Sequence, residues 1–468
     1  MSSLDFEVQG TDLLADPIYR FIYFTTPASE NPNEVTERTI IDSPWLQRLR
    51  GIRQLQNVRW VFPAGEHTRF QHALGAMHLG GRFARRLYSS LRKIKPRCPS
   101  RNFVEETLRL AGLVHDVGHG PFGHFFDHNF LLPKFGITHE DIGQKIIVDE
   151  LGPLLEKINR SPNGYFSERD RIEPEYLAFL IKRRGTGADM PEWLKMLKPV
   201  VTGIYNIDNL DYVARDSFMC GFTEMPMSLE RLLHYSFFTE KGFTLHSKGV
   251  DSLRMFLDFR AYMYSSAYFH RTVRALDLHL KEIFQKTLKL LIKENPVDDL
   301  SKYLEVTEEF LIGAVKHWQQ SRSREKQELS KAWMKLLSRE TKWKMIAQKE
   351  EAYSKTSGLL NVASSSLVEQ RIREMLPDNL KTDPLQVDMA SQDPRPENLT
   401  QMGDEQLYIF DQNTREVSAH KLDDYLKDIP SLKVQCRLYA LNRDNEEDLA
   451  HAFHQAISER PPSEVTSV

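Results

Sequence analysis

Apolar positions recur at helical spacing along most of the chain, and this pattern predicts a mainly α protein. From about Thr68 to Leu91 the stripe runs through Phe70, Leu74, Met77, Phe83 and Leu87. A second apolar run, Leu108, Leu110, Leu113 and Val114, predicts a buried helix that ends at residue 115. Further helices are predicted near 139–156, 173–184, 190–203 and 206–219, with long ones across 250–294 and 306–350. Ahead of them, residues 15–24 are aromatic and β-branched and read as a short strand or hairpin arm. A polar loop with Pro27 and Pro32 follows. The stretch from Ile41 to Arg50 carries a helix start, with Ser43 as N-cap and Pro44 in the first turn. Val61-Phe62-Pro63 reads as a short extended piece.

Around 353–404 the composition shifts to Ser, Asp, Pro, Asn and Gln, the mark of a boundary holding at most one short helix, near 366–375. Beyond it, Gln406–Phe410 and Lys433–Tyr439 read as strands flanking a helix, and 446–459 as a final helix. The expected division is an N-terminal arm (1–40), a helical domain (41–295), a helical extension (296–352), a linker-like segment (353–404) and a small C-terminal α+β module (405–468).

A length of 468 residues accommodates one large core plus smaller additions, and the net charge of −3 gives no general attraction to nucleic acid or membrane. Cys98, Cys220 and Cys436 are far apart and form no CxxC pair, which argues against a disulfide framework and fits a reducing cytoplasm. The N-terminus has no basic and apolar leader, and no apolar run approaches the roughly 20 residues that cross a bilayer. The basic stretch Arg82–Arg97 is expected to be a solvated helix face rather than a nucleic-acid contact. Trp318, Trp333 and Trp343 mark 317–348 as a packed helical arm or oligomer contact. His234, His246 and His279 stand in no partner pattern and carry no assigned role.

The chemistry concentrates at 108–127. His115 and Asp116 close an apolar helix, a costly place for an imidazole and a carboxylate unless something pairs them. Gly118, Gly120, Pro121 and Gly123 then open the backbone, while His119, His124 and Asp127 add ionisable groups. Such a set points to a metal centre with proton-transfer groups beside it. A divalent ion needs further donors. His72 on the preceding helix is one, with Arg69 a turn earlier on the same face to meet an anion. Asp208 is another, with Asp211 and Asp216 as competitors and Tyr212 one turn on.

His72, His115-Asp116 and Asp208 resemble the H…HD…D signature of the HD-domain metal-dependent phosphohydrolases. Asp42-Ser-Pro-Trp-Leu-Gln47-Arg-Leu-Arg50, Val61-Phe-Pro63, Arg69-Phe-Gln-His72-Ala-Leu-Gly75, His115–His124 and Asp211-Tyr-Val-Ala-Arg-Asp216 follow in order. Together they resemble the dNTP triphosphohydrolases that couple a SAM domain to an HD domain, and their bacterial relatives, from about residue 16 to 290. No SAM domain is expected in front. The resemblance implies an HD-domain helical core in which His72, His115, Asp116 and Asp208 bind a divalent ion (Mn, Fe, Zn, Ni or Co, with Mg accompanying the nucleotide). It implies that His119 lies in line with the α-phosphate, that Asp127 orients it, and that His139 donates a proton. His124 is implied to line the phosphate site, and Arg69, Tyr212 and Arg260 to grip the triphosphate. Gln54 and Leu55 are implied to touch sugar and base, and Tyr268 to pack under the deoxyribose.

By the same resemblance Asp42, Gln47 and Arg50 match positions that bind an activating guanine nucleotide (GTP or dGTP) between subunits of a dimer or tetramer. Helix capping and a surface ion pair are the plain alternative for them. The chain also departs from the pattern. Asn209 stands where the family has a phosphate-binding lysine, Tyr264 where it has a histidine, and Asn206 where it has an acid. The expected reaction is therefore dNTP hydrolysis to deoxynucleoside and inorganic triphosphate. An HD hydrolase of another phosphate ester is the nearest alternative. A nucleotide-responsive scaffold with a structural metal is the other, and the set His119, Asp127, His139 argues against it.

Overall fold

The computed structural model describes residues 10–182, 189–224, 226–353 and 364–458. The first described element is a hairpin, β1 (Thr11–Asp16) and β2 (Arg20–Thr25), in which Asp16 faces Arg20. Ile22 and Phe24 enter the core while Phe21 and Tyr23 stay exposed, the period-two alternation of a one-faced strand. Two short helices follow, α1 (Glu37–Ile41) and α2 (Pro44–Arg48). Ser43 caps α2 as expected, its hydroxyl accepting from the Leu46 amide at 3.4 Å, with Pro44 in the first position. The expected extended piece at 61–63 is a turn instead. The amides of Val61 and Phe62 both donate to the Val58 carbonyl, which curls the chain.

The centre of the molecule is a crossing of α3 (Arg69–Ile94) and α4 (Arg101–Val114). α3 opens with a capping box in which the Thr68 amide donates to Gln71 Oε1 at 2.7 Å. The two backbones touch where glycines permit it. A Cβ on Gly80 would stand 2.3 Å from the Leu108 carbonyl oxygen, and one on Gly112 2.5 Å from that of Ala76. This contact brings His72 on α3 and His115 at the end of α4 to one place.

Around the crossing pack α5 (His139–Lys145), α6 (Pro174–Ile181), α7 (Glu192–Thr202) and α8 (Ile207–Met219). A two-stranded pair follows, β3 (Ser236–Thr239) and β4 (Gly242–His246), then α9 (Val250–Met263) and α10 (Arg271–Leu291). The long helix expected across 250–294 is thus broken near Phe269, where His270 caps α10. Beyond it, α11 (Glu308–His317) and α12 (Arg324–Leu337) pack inward. Trp333 is fully buried and donates to Thr287 Oγ1 at 2.8 Å, and Trp318 and Trp343 are buried too. The basic stretch on α3 is likewise tied to the fold. Arg85 pairs with Glu105 at 2.8 Å, and Arg92 donates to the Cys98 carbonyl at 2.6 Å.

The C-terminal part differs from expectation in two strands. The helix expected to reach 350 gives way to a ten-residue strand, β5 (Lys344–Tyr353). The boundary-like segment holds the expected short helix, α13 (Ser365–Met375), and also a strand, β6 (Leu385–Gln392). The strand at 406–410, β7 (Tyr408–Phe410), pairs in parallel with β4 and in antiparallel with β8 (Val417–Ser418). Helix α14 (His420–Leu426) leads to β9 (Leu432–Ala440), which lies between β5 and β6, antiparallel to both. α13 and the last helix, α15 (Glu446–Ser458), pack on this sheet through a second apolar cluster containing Ile372, Leu438 and Phe453. The fold is mainly α with small sheets, as the hydrophobic pattern predicts. Among the described residues no helix is long and apolar enough to cross a membrane.

Candidate active site

His72 and His115 face each other across the helix crossing with their Nε2 atoms 3.1 Å apart. Each ring is fixed from behind. His72 Nδ1 donates to Asp211 at 2.8 Å, and His115 Nδ1 donates to the Gly112 carbonyl at 2.8 Å. Both Nε2 lone pairs therefore point inward, an arrangement that repels itself unless positive charge sits between them. Asp208, from the first turn of α8, brings Oδ1 to 3.1 Å from His72 Nε2 and 3.7 Å from that of His115. Asp116 Oδ1 is 3.3 Å from His115 Nε2, and its Oδ2, 3.8 Å from His72 Nε2, also accepts from Arg69 at 2.6 Å. Adjacent donors around one ion with bonds of about 2.1 Å stand about 3 Å apart. The set His72, His115, Asp208 and Asp116 fits that spacing, and the first three form a potential metal cluster by geometry alone.

The charge balance agrees. Burial lowers the His72 imidazole, yet hydrogen bonds to Asp208 and Asp211 outweigh it and push its pKa up to about 10. Burial raises Asp208, yet His115 and His72 hold its carboxyl well below the usual range. The pocket is built to hold positive charge. Asp211, a competitor for ligation by sequence, sits behind His72 instead, where Arg215 clamps it through Nε and Nη2 at 2.9 Å each.

Beside the cluster lies a second group of imidazoles. His119 stacks on His139 with ring centroids 3.6 Å apart and planes at 12°. The loop carrying His119 reaches α5 because Gly118 has no side chain; a Cβ there would stand 2.0 Å from the His139 carbonyl. Arg48 holds the loop from below, donating to the His119 carbonyl at 2.6 Å. Asp127 accepts from His139 Nδ1 at 2.5 Å and lies 3.5 Å from His124 Nδ1. The resemblance implied that Asp127 orients His119; the hydrogen bond observed goes to His139. His119 instead puts Nε2 3.4 Å from Asp116, and its Nδ1 is buried without a partner. Burial, then the charges of Arg69 and His139, push its pKa well below the ordinary value, so the ring is neutral.

Of these groups His115, Asp116, Asp208, His124 and His139 line a cavity of about 890 Å³. Gln54, Leu55, Arg69, His124, Tyr212 and Tyr268 all line it, as the sequence reading requires. Tyr268 donates to Asp216 at 2.5 Å, and Asp216 also pairs with His67 at 2.9 Å. Arg260 is the exception among the expected substrate residues. It donates to the Asp393 carbonyl at 2.8 Å and is not part of the cavity lining. Asn209 is also turned away. It is buried in the cap of α8, exchanging hydrogen bonds with Asn206 and donating to the Ile204 carbonyl at 2.9 Å. Asp42, Gln47 and Arg50 make local contacts: Asp42 pairs with Arg38 at 3.3 Å, and Arg50 donates to Gln47 at 2.8 Å and stacks on Phe70.

Sequence reasoning missed a wall of the cavity. Arg274, Asp277 and Lys281 from α10, and Asp388 with its neighbours on β6, line the same space. Arg274 donates to Asp388 at 2.9 and 2.6 Å and to Asp277 at 3.1 Å, and Asn57 donates to Asp277 at 2.7 Å. The i, i+3, i+7 spacing of Arg274, Asp277 and Lys281 marks one helix face, but nothing local says that this face meets a ligand.

Residues 69–212, from Arg69 through His72, His115-Asp116 and Asp208 to Tyr212, match the HD domain family model. The chain resembles the deoxynucleoside triphosphate triphosphohydrolase SAMHD1 of Gallus gallus, at 30% identity over 273 residues, 53% of this chain and 42% of that protein. It is similar to an uncharacterized protein of Methanocaldococcus jannaschii at 27% identity over 311 residues, 64% of this chain and 56% of the relative. The chain thus spans about half the length of the curated relatives it matches. In fold it resembles the crystal structure of a hypothetical protein from Aquifex aeolicus, with a TM-score of 0.66 at 24% identity, over 96% of this chain and all of that one.

Proposed function

We propose that the protein is a metal-dependent phosphohydrolase that converts a dNTP and water to a deoxynucleoside and inorganic triphosphate. The observation that carries this reading is the convergence of His72, His115, Asp116 and Asp208 beside the stacked pair His119 and His139, with His115, Asp116, Asp208 and His139 lining one nucleotide-sized cavity. A divalent ion held by those four residues supplies Lewis acidity to a phosphoryl oxygen and acidifies water. Mn, Fe, Zn, Ni or Co suits the mixed His and carboxylate donors. The chain's own groups supply the rest. Arg69, already 2.6 Å from Asp116, presents its guanidinium beside the metal donors to the phosphate. His139, whose Nδ1 donates to Asp127, protonates the 5′-oxygen as the bond to the α-phosphorus breaks, and neutral His119 stacks on its ring. Tyr268 and Leu55 form the apolar seat for sugar and base, and Gln54 and Tyr212 complete the lining. The relative named as a deoxynucleoside triphosphate triphosphohydrolase supports the substrate class.

The reading extends to a cytoplasmic homo-oligomer in which Asp42, Gln47 and Arg50 receive a guanine nucleotide; Asp42 and Arg50 are exposed and near one another along the chain. Its proposed organisation has five parts, 1–40, 41–295, 296–352, 353–404 and 405–468.

The test is to incubate the purified protein with Mn²⁺ and each dNTP and NTP, with and without GTP or dGTP, and to identify the phosphate product. Inorganic triphosphate with deoxynucleoside is expected, and dependence on GTP would assign a role to Asp42, Gln47 and Arg50. Orthophosphate or pyrophosphate as the product would overturn the substrate. One observation favours that second reading, hydrolysis of an ester with fewer phosphates: Asn209, standing where the resembled family has a phosphate-binding lysine, is locked in a helix cap.

A further inference from the structure

If Asn209 gives the phosphates nothing, a substrate carrying several of them needs positive charge from elsewhere in the cavity. Three fixed cations line it: Arg69, Arg274 and Lys281. Arg69 is paired with Asp116, and Arg274 with Asp388 and Asp277. Lys281 is exposed and, among the described residues, has no carboxylate or hydrogen-bond partner. An exposed lysine is ordinarily just solvated, so its position must decide.

Its place on α10 sets it near the segment that carries His124 and His128. Arg274, Asp277 and Lys281 share the cavity face of α10, and a rise of about 1.5 Å per residue sets Lys281 roughly 10 Å beyond Arg274. One turn further on, Phe284 packs against Phe125 at 5.1 Å and Phe122 at 5.6 Å. That contact lays this part of α10 over the segment that carries His124, Asp127 and His128. His124 and His128 are both exposed and both line the cavity. The opposite end, where Tyr268 meets Asp216, precedes α10 and is apolar around Leu55 and Val58. Glu369 on the far wall is neutralised by Arg373 at 2.8 Å, which leaves Glu140 as the acid nearest His139 in sequence.

We propose that the substrate's distal phosphates are held in the part of the cavity lined by Lys281, His124 and His128, with Lys281 supplying the charge that Asn209 lacks. The inference rests on the phosphohydrolase reading and adds to it a specificity residue for polyphosphate over monophosphate substrates.

The experiment compares wild type with Lys281→Met and Lys281→Arg, loaded with Mn²⁺. The substrates are a dNTP and bis(4-nitrophenyl) phosphate, an ester with a single phosphate. The expected result for Lys281→Met is a rise of about tenfold in KM for the dNTP, with kcat within about twofold. Hydrolysis of the single-phosphate ester should be unchanged, and Lys281→Arg should restore most of the affinity. Equal effects on both substrates, or no effect on either, would overturn the proposal. If wild type cleaves the ester but no dNTP, the substrate reading fails on its own. Calorimetric titration with inorganic triphosphate then decides the subsite, because equal affinity in wild type and Lys281→Met would overturn it.

Discussion

His72 and His115 owe their orientation to atoms behind them, and that is where the site is most easily tested without removing a ligand. Asp211 fixes the His72 tautomer, so Asp211→Asn keeps the shape but weakens the acceptor. Metal affinity should fall by about 10- to 100-fold, read by competition with a chromogenic chelator while circular dichroism shows the fold retained. His139→Gln should leave metal content unchanged and lower kcat by about 10²- to 10⁴-fold, the range for loss of a general acid. The pH dependence has a definite sign. Asp127 is raised by burial but brought down further by His124 and His139, so its folded pKa lies below the ordinary carboxylate value. A depressed carboxyl stabilises the fold above the unfolded pKa of about 3.9, and that contribution is lost as pH falls through the folded value. Denaturant midpoints should already decline below about pH 6.5, where the unfolded His119 imidazole protonates and the folded one does not, and the Asp127 contribution should be lost below about pH 4, so Asp127→Asn should flatten only the lower step. These residues were legible because they cluster in sequence or lie on helices with clear periodicity. Arg260 was not: its periodicity is helical, but whether its side chain turns to the cavity or to Asp393 depends on a segment more than a hundred residues away.

Elements deliver these residues, and the crossing of α3 and α4 delivers most of them. Gly80→Ala would force a Cβ to within 2.3 Å of the Leu108 carbonyl, a rigid backbone atom. The helices must separate, which should cost about 1–3 kcal/mol in urea unfolding. Because His72 and His115 sit on opposite sides of the crossing, metal affinity should fall with it. The elements of the helical core were readable from periodicity, caps and prolines. β5 was not. Its sequence, Lys-Met-Ile-Ala-Gln-Lys-Glu-Glu-Ala-Tyr, is rich in helix formers, and only its pairing with β9 makes it a strand. Intrinsic preference is weak against such a partner. β6 was hidden for a related reason: its Asp, Ser and Gln read as linker until Arg274 and β9 are in place.

The two parts of the molecule meet at Arg274 and Asp388, and this contact forms one side of the cavity. Asp388 lies on β6, an edge strand of the C-terminal sheet, and is itself buried. Among the described residues its partner outside the sheet is the Arg274 guanidinium, which Asp277, itself held by Asn57, fixes from the helical side. The charge pair is desolvated on the strand side, so removing one member leaves the other uncompensated, a situation costlier than losing an exposed pair. Asp388→Ala should therefore loosen the contact by about 1–3 kcal/mol. The consequence is specific to this wall. Amides of β6 should exchange faster with solvent, and the KM for any substrate that fills the cavity should rise. Metal content should not change, because His72, His115, Asp116 and Asp208 belong entirely to the helical part. Arg274→Ala should give the same pattern. Double replacement should cost little more than either alone, since each single change already breaks the same pair. Hydrogen exchange read by mass spectrometry, run beside metal analysis, checks all of this. Unchanged exchange in 385–392 would mean that packing through Leu385, Val387 and Leu438 suffices to hold the wall, and that the ion pair serves only to keep two buried charges satisfied.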